Sequence, residues 1–171
     1  MKTFAYCAAS FEKSVRRAAG VTPLLSPPVS FQGFLPEWLE GYDLLYFKLH
    51  GFPDQAYWYG DDWITAMSEE LVRQSDLRET IVFVANCYLP ESPMLKALLY
   101  AGAKAVIGGA GVNYARSKQV DGADLLGLYL RFFMQVGLSA SNSLTLAKNR
   151  IRIKRKSMVK SDTLDFKIYR A

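Results

Sequence analysis

The chain contains a single histidine, His50, and two cysteines, Cys7 and Cys87. A thiolate is a strong nucleophile and an imidazole can take a thiol proton, so a cysteine and a histidine brought together can carry out acyl transfer. His50 closes the apolar run Leu44 to Leu49, and Cys87 follows the apolar run Ile81 to Ala85. Each therefore stands at the carboxyl end of an expected buried strand, where the loops of an open parallel sheet meet in a crevice. If the two strands are neighbours, both side chains project into one cleft. Gly51, without a side chain, lets its N–H approach a substrate carbonyl oxygen, and the N–H of Cys87 is the second donor of an oxyanion hole. The plainer alternative keeps Cys87 as a small apolar residue and His50 as an ordinary loop residue. Cys7 lies inside a strand with no histidine near it in sequence, and packing accounts for it.

The elements that must position this pair follow from hydrophobic spacing. Thr3 to Ala8 reads as a first strand, and Ser10 to Ala19 as a helix with Phe11, Val15, Ala18 and Ala19 on one face. Val21 to Phe34, with Pro23, Pro27 and Pro28, reads as an extended connection outside the core, and Leu35 to Glu40 as a helical turn. Tyr42 to Leu49 is a buried strand and Phe52 to Gly60 an aromatic-rich loop. The spacing of Trp63, Met67, Leu71 and Val72 predicts a helix that Asp61 or Asp62 caps. Thr80 to Ala85 is a second buried strand. Ser92 to Ala101 is a helix opened by Pro93 and closed by Gly102, and Ala103 to Ile107 is a third buried strand. Asp124 to Gln135 and Ser141 to Lys148 are further helices, and Leu164, Phe166 and Ile168 alternate as a closing strand. Strands alternating with helices predict an α/β fold, with a mostly parallel central sheet and helices on both faces.

The 171 residues are half hydrophobic and under a quarter charged, which suits one folded domain and excludes extensive disorder. The net charge of +5 is local, because Lys148, Arg150, Arg152, Lys154, Arg155, Lys156 and Lys160 supply seven positive charges and leave a formal −2 elsewhere. Any electrostatic case for nucleic acid rests on that segment, whose plainer reading is a solvated strand or helix end. Two cysteines without CxxC spacing and one histidine exclude a zinc site of Cys and His, and no cofactor is expected. The longest apolar stretch, Leu125 to Leu138, is broken by Arg131 and is too short to span a bilayer, so a cytoplasmic protein without membrane contact is expected. Gly108-Gly109-Ala110-Gly111 follows a strand but matches neither GxGxxG nor GxxxxGK[ST], so its glycines are read as backbone lying close to a bound peptide or to the cysteine.

Leu49-His50-Gly51, then Gly60-Asp61-Asp62-Trp63-Ile64, then Thr80 to Cys87 resemble, in order and spacing, the paired blocks of caspase-like cysteine peptidases. Pro93 to Gly108, with Ala101-Gly102-Ala103 joining a helix to a strand, is similar to the CHAT-domain branch of that family. The resemblance covers Tyr42 to about Lys148, with weaker similarity in the first forty residues. It implies a caspase-like three-layer sandwich spanning residues 1–171 as one domain, with the basic segment 148–160 before its closing strand. It also implies an endopeptidase in which His50 is the general base and Cys87 the nucleophile, passing through an acyl-enzyme on a protein or peptide substrate. No third catalytic residue is implied. A repeat-domain or regulatory activating partner is implied, since such domains commonly work within larger assemblies.

The chain departs from the family around the nucleophile, where Ala85-Asn86-Cys87 replaces a small pair and Tyr88-Leu89-Pro90 replaces a glycine-containing turn. Relatives that cut after basic residues often carry an acid at the place of Ala85, so basic specificity is not expected. Asp54, Tyr57, Trp58, Asp61, Asn86 and Gly109 are the candidate substrate-binding residues. For Asp54, Asp61 and Asp62 the competing reading is helix capping or ordinary solvated acids, and for Tyr57, Trp58 and Tyr59 it is cover for a sheet edge. Two other functions remain in view: a catalytically silent CHAT-like domain that binds a partner through the same cleft, and a nucleic-acid-binding module built on the basic segment.

Overall fold

Each apolar strand carries two interleaved sets of side chains, and each set needs its own helices to cover it. A computed structural model describes residues 1–113, 120–154 and 165–171. The element order is β1 (Thr3–Ala8), α1 (Glu12–Ala19), β2 (Leu24–Ser26), β3 (Leu44–Lys48), β4 (Tyr57–Tyr59), β5 (Thr65–Ser68) and α2 (Glu69–Arg73). It continues with β6 (Ile81–Val84), α3 (Pro93–Tyr100), β7 (Ala105–Gly108), α4 (Gly122–Gln135), α5 (Ala140–Lys154) and β8 (Lys167–Tyr169). Six strands form one sheet in the order β2-β1-β3-β6-β7-β8, while β4 and β5 pair as a separate antiparallel hairpin. All neighbours in the large sheet are parallel except β7 and β8.

The alternation in β3 shows how the layers arise. Leu45, Phe47 and Leu49 join Leu71 and Val72 of α2 and Met94, Ala97 and Leu98 of α3 in one core. Leu44 and Tyr46 join Val15 and Ala18 of α1, Leu126 and Leu130 of α4, and Leu144 and Ala147 of α5 in the other. The protein is thus an α/β three-layer sandwich with a mostly parallel central sheet and helices on both faces, consistent with the expected caspase-like arrangement. Among the described residues, no helix is long and apolar enough to cross a membrane.

Helix boundaries follow local chemistry. Gly20, with φ of 71°, ends α1 by returning its N–H to the Arg16 carbonyl at 3.1 Å, and Ser92 caps α3 ahead of Pro93. On α4, a Cβ added to Gly127 would lie 2.6 Å from Tyr46 Cε2 and 2.8 Å from Phe83 Cε1, so only glycine lets this helix sit so close to the sheet.

One polar group interrupts the α4 side of the core. Lys48 and Asp124, 2% and 0% exposed, form a buried ion pair between Nζ and Oδ2. The Tyr46 hydroxyl donates to Asp124 Oδ1 at 2.8 Å, Lys48 Nζ donates to Ser14 Oγ at 3.3 Å, and the ammonium lies 4.6 Å from the centre of the Phe11 ring.

Three expectations are corrected. The helix expected from Trp63 to Val72 is a strand followed by a short helix: β5 pairs with β4, and α2 starts only at Glu69, where Ser68 Oγ accepts the Leu71 N–H at 3.2 Å. The helical spacing was coincidental, because Met67 is buried from a strand, Leu71 from a helix, and Trp63 is 64% exposed. The Pro-rich connection contains an edge strand, β2, laid parallel on β1. The last helix runs past Lys148 to Lys154, so Arg150 and Arg152 lie on α5, while Arg155, Lys156, Lys160 and Leu164 fall outside the described residues.

The core also predicts alkaline sensitivity. Burial pushes the Tyr6 hydroxyl up to about 12 from 10.0, and burial pushes the Cys7 thiol up to about 12 from 9.0. The folded state keeps these protons after the unfolded chain has lost them, so stability is intact below about pH 9 and falls as pH rises toward 12. At about 1.4 kcal/mol per pH unit, Cys7 alone removes up to about 4 kcal/mol across that window. Urea midpoints measured from pH 8 to 11 should fall steeply, and Cys7→Ala should flatten the slope; a midpoint independent of pH would contradict the burial of both groups.

Candidate active site

The parallel register of β3 on β6 runs from Leu44↔Ile81 to Phe47↔Val84, and His50 and Cys87 each follow three residues later, past the carboxyl ends of these adjacent strands. The ladder itself ends where the Ala85 N–H donates to the Phe47 carbonyl at 2.8 Å. Beyond it a side chain takes over: Asn86 Oδ1 accepts the Leu49 N–H at 2.7 Å and holds the two strand ends together. Gly51 then passes so close to the nucleophile loop that an added Cβ would be 2.6 Å from the Cys87 carbonyl oxygen. Glycine is required here by close approach of two backbones. Among the described residues, neither the Gly51 nor the Cys87 amide is taken up by a backbone carbonyl, as an oxyanion hole requires.

His50 is held from three sides. Its N–H and C=O are both bonded to Tyr59, at 2.8 and 2.9 Å, which ties it to β4. Its ring lies between Phe11, with centres 5.5 Å apart, and Trp63, at 5.3 Å. Its Nε2 is 3.9 Å from Asp61 Oδ1. Asp61 is itself fixed, since its carboxylate accepts the Ser10 N–H at 2.6 Å and the Ser10 hydroxyl at 2.8 Å. The corner between β1 and α1 thereby reaches the histidine.

Cys87 is half-buried, and burial pushes its thiol above the ordinary range, against a smaller lowering by the Asn113 N–H that donates to Sγ at 3.3 Å. At neutral pH this is a protonated thiol, which needs a base before it can attack. Asn113 also donates from Nδ2 to the Asn86 carbonyl at 2.6 Å, closing the glycine-containing loop over the nucleophile turn. Tyr88 leaves that turn in the left-handed region, at φ of 56°.

The candidate substrate-binding residues divide. Asp61 reaches His50. Trp58 is fully buried against Phe47, with ring centres 5.3 Å apart, and is core, not a wall for peptide. Asn86, 1% exposed, is the strap between strands and presents no surface to a substrate. Gly109 lies buried under Phe166, where an added Cβ would meet the ring at 2.8 Å. Tyr57 faces a separate cleft beside Phe31 and Arg73. Asp54 stands at a left-handed turn with its N–H on the Glu91 carbonyl at 3.0 Å, and among the described residues it meets neither His50 nor Cys87. Cys7 is fully buried in β1, as packing requires.

Sequence reasoning missed Phe11, Trp63 and Asn113 as neighbours of the pair. Asn113 carried no signal, being one amide in a loop. Trp63 carried one, since a tryptophan directly after two acids has no reason to be in a core helix face. Among the described residues, no cluster of His, Cys, Asp and Glu could hold a metal ion. No protein-family model matches the chain, and no curated protein matches it.

Proposed function

We propose that this chain is a cysteine endopeptidase resembling the CHAT-domain branch of the caspase-like peptidases, with Cys87 as nucleophile and His50 as general base. The observation that supports this reading is that His50 and Cys87 follow the carboxyl ends of adjacent parallel strands, with Gly51, the neighbour of His50, pressed against the Cys87 carbonyl. With Nε2 turned to Asp61, Nδ1 is the ring nitrogen left to take the proton from Cys87 Sγ. The thiolate attacks the scissile carbonyl carbon, and the amides of Gly51 and Cys87 receive the oxyanion. The imidazolium then protonates the departing amine, leaving a thioester. Water, deprotonated by His50, hydrolyses the thioester and restores the thiol.

Asp61 has a role in this scheme as a positioning residue, because its carboxylate, held by Ser10, faces Nε2 and fixes the orientation of the ring. Loss of an orienting contact worth about 1.4 kcal/mol in the transition state is roughly tenfold in rate. Asp61→Asn should lower kcat by about that factor with KM little changed, and equal kcat values would remove Asp61 from the scheme.

The test of the function is labelling of the folded protein with peptidyl electrophiles, read by mass spectrometry. Selective modification of Cys87 that is lost in His50→Ala supports the peptidase. Slow labelling of Cys87 that ignores His50 supports a silent domain binding a partner through this cleft, a reading favoured by the Asn113 amide that caps the sulfur.

A further inference from the structure

A cavity of about 520 Å³ opens next to His50, lined by Phe52, Pro53, Gln55, Tyr59 and Trp63. Its walls are three aromatic rings in mutual contact: Phe52 with Trp63 at 5.6 Å and Phe52 with Tyr59 at 6.0 Å between centres. Trp63 joins this wall to the candidate base, because the same indole lies 5.3 Å from the His50 ring. Among the described residues, no charged side chain lines the cavity. Its size falls within the range of pockets that enclose small organic groups.

The wall is held open against its own interest. Phe52 and Trp63 are 38% and 64% exposed, although both are large apolar rings. Asp62 and Trp63 both adopt left-handed backbone, at φ of 55° and 59°, a conformation that disfavours bulky residues and persists only where surrounding structure imposes it. Here Asp61 is tied to Ser10, and the Gly60 N–H donates to the Ile64 carbonyl at 2.8 Å, so the turn between them presents the indole outward. Packing gains nothing from this arrangement, whereas an apolar group entering the cavity would be sandwiched by the rings.

Resting on the peptidase reading, we infer that this cavity binds a large apolar side chain of the peptide substrate, best matched by an aromatic ring, next to the scissile bond. An acidic side chain entering these rings loses hydration and meets their negative faces, whereas a cation gains those faces, so the lysine peptide is the sharpest competitor in the test. An apolar preference is also consistent with Ala85, which places no carboxylate before the nucleophile.

The test separates binding from turnover. Cys87→Ala protein is titrated by NMR with four pentapeptides of alanine and glycine that carry phenylalanine, alanine, aspartate or lysine at the centre, following the backbone amides of Gln55 and Tyr59 in every variant and the Trp63 indole N–H where it is present. The phenylalanine peptide should give saturable shifts with affinity about tenfold above the others. The preference should collapse in Cys87→Ala combined with Trp63→Ala, and in Cys87→Ala combined with Phe52→Ala; both rings are exposed, so these proteins should fold. Equal affinities, tighter binding of a charged peptide, or no saturable shift with the phenylalanine peptide would overturn the proposal. Wild-type protein is then given a proteome-derived peptide mixture. Cuts flanked by aromatic or large aliphatic residues support the cavity, and cuts without that preference overturn it while leaving the peptidase standing. Phenylalanine binding without any cutting or labelling of Cys87 would remove the peptidase and retain the cavity as a peptide-recognition site.

Discussion

Peptide hydrolysis should vanish in Cys87→Ala and fall by about 10²- to 10⁴-fold in His50→Ala, the span that a positioned general base contributes, while Cys7→Ala keeps full turnover. The asymmetry between the two cysteines follows from burial. Cys7 is fully enclosed in β1 and its thiol is pushed up to about 12, so it is protonated and unreachable at any working pH. Cys87 is raised as well, which means that it gains nothing from a standing thiolate and depends on proton transfer to the imidazole at the moment of attack. Iodoacetamide makes that dependence visible. In wild type, Cys87 should be alkylated near neutral pH. In His50→Ala its alkylation should rise only at alkaline pH, above the range of an ordinary thiol. If both proteins showed the same pH dependence, the imidazole would not be the base. Thermal melts should be nearly unchanged by either substitution, since neither side chain fills the core.

The second large effect concerns stability. Lys48→Met leaves the Asp124 carboxylate buried with, among the described side chains, the Tyr46 hydroxyl as its hydrogen-bond donor, and Asp124→Leu leaves a buried ammonium with Ser14 and the Phe11 ring. Either change should cost about 3–5 kcal/mol, because a lone buried charge is stranded without its partner. The double substitution should recover most of that loss, since it removes both desolvated charges at once. Urea unfolding of the four proteins closes the cycle, and additive losses would show that the two groups do not act as a pair. The network also reaches the site: Lys48 rests on Phe11, and Phe11 rests on His50. Proteins lacking the pair should therefore lose some hydrolysis even at temperatures where they remain folded.

The buried strands β1, β3, β6 and β7 were legible because their apolar runs are bounded by glycine, histidine or polar residues, and their order told of a parallel sheet. His50 and Cys87 were legible for the same reason, as rare reactive types placed at strand ends. The β4–β5 hairpin was not. Its strands hold three and four residues, too few for alternation to be seen, and Trp63, Met67 and Leu71 imitate a helical face. β2 was hidden because three prolines surround it, although an edge strand needs only one side of its backbone for pairing. Lys48 sits within an apolar strand and Asp124 opens an expected helix, and nothing local joins the two. Two opposite charges in such contexts already imply a partner, yet 76 residues separate them and spacing cannot join them. Asp61 was singled out as a pocket acid or a helix cap, and only the fold shows that Ser10 holds its carboxylate 3.9 Å from the imidazole.

The outermost strands of the large sheet carry a further consequence for assembly. β2 and β8 are each three residues long; Pro23 precedes β2, and Pro27 and Pro28 follow it. At the β2 edge, a strand this short between prolines that have no N–H to offer is a poor template for a neighbouring strand. That side of the sheet is thereby guarded against strand addition, which directs contacts there to the helical faces and to the loops around the cleft.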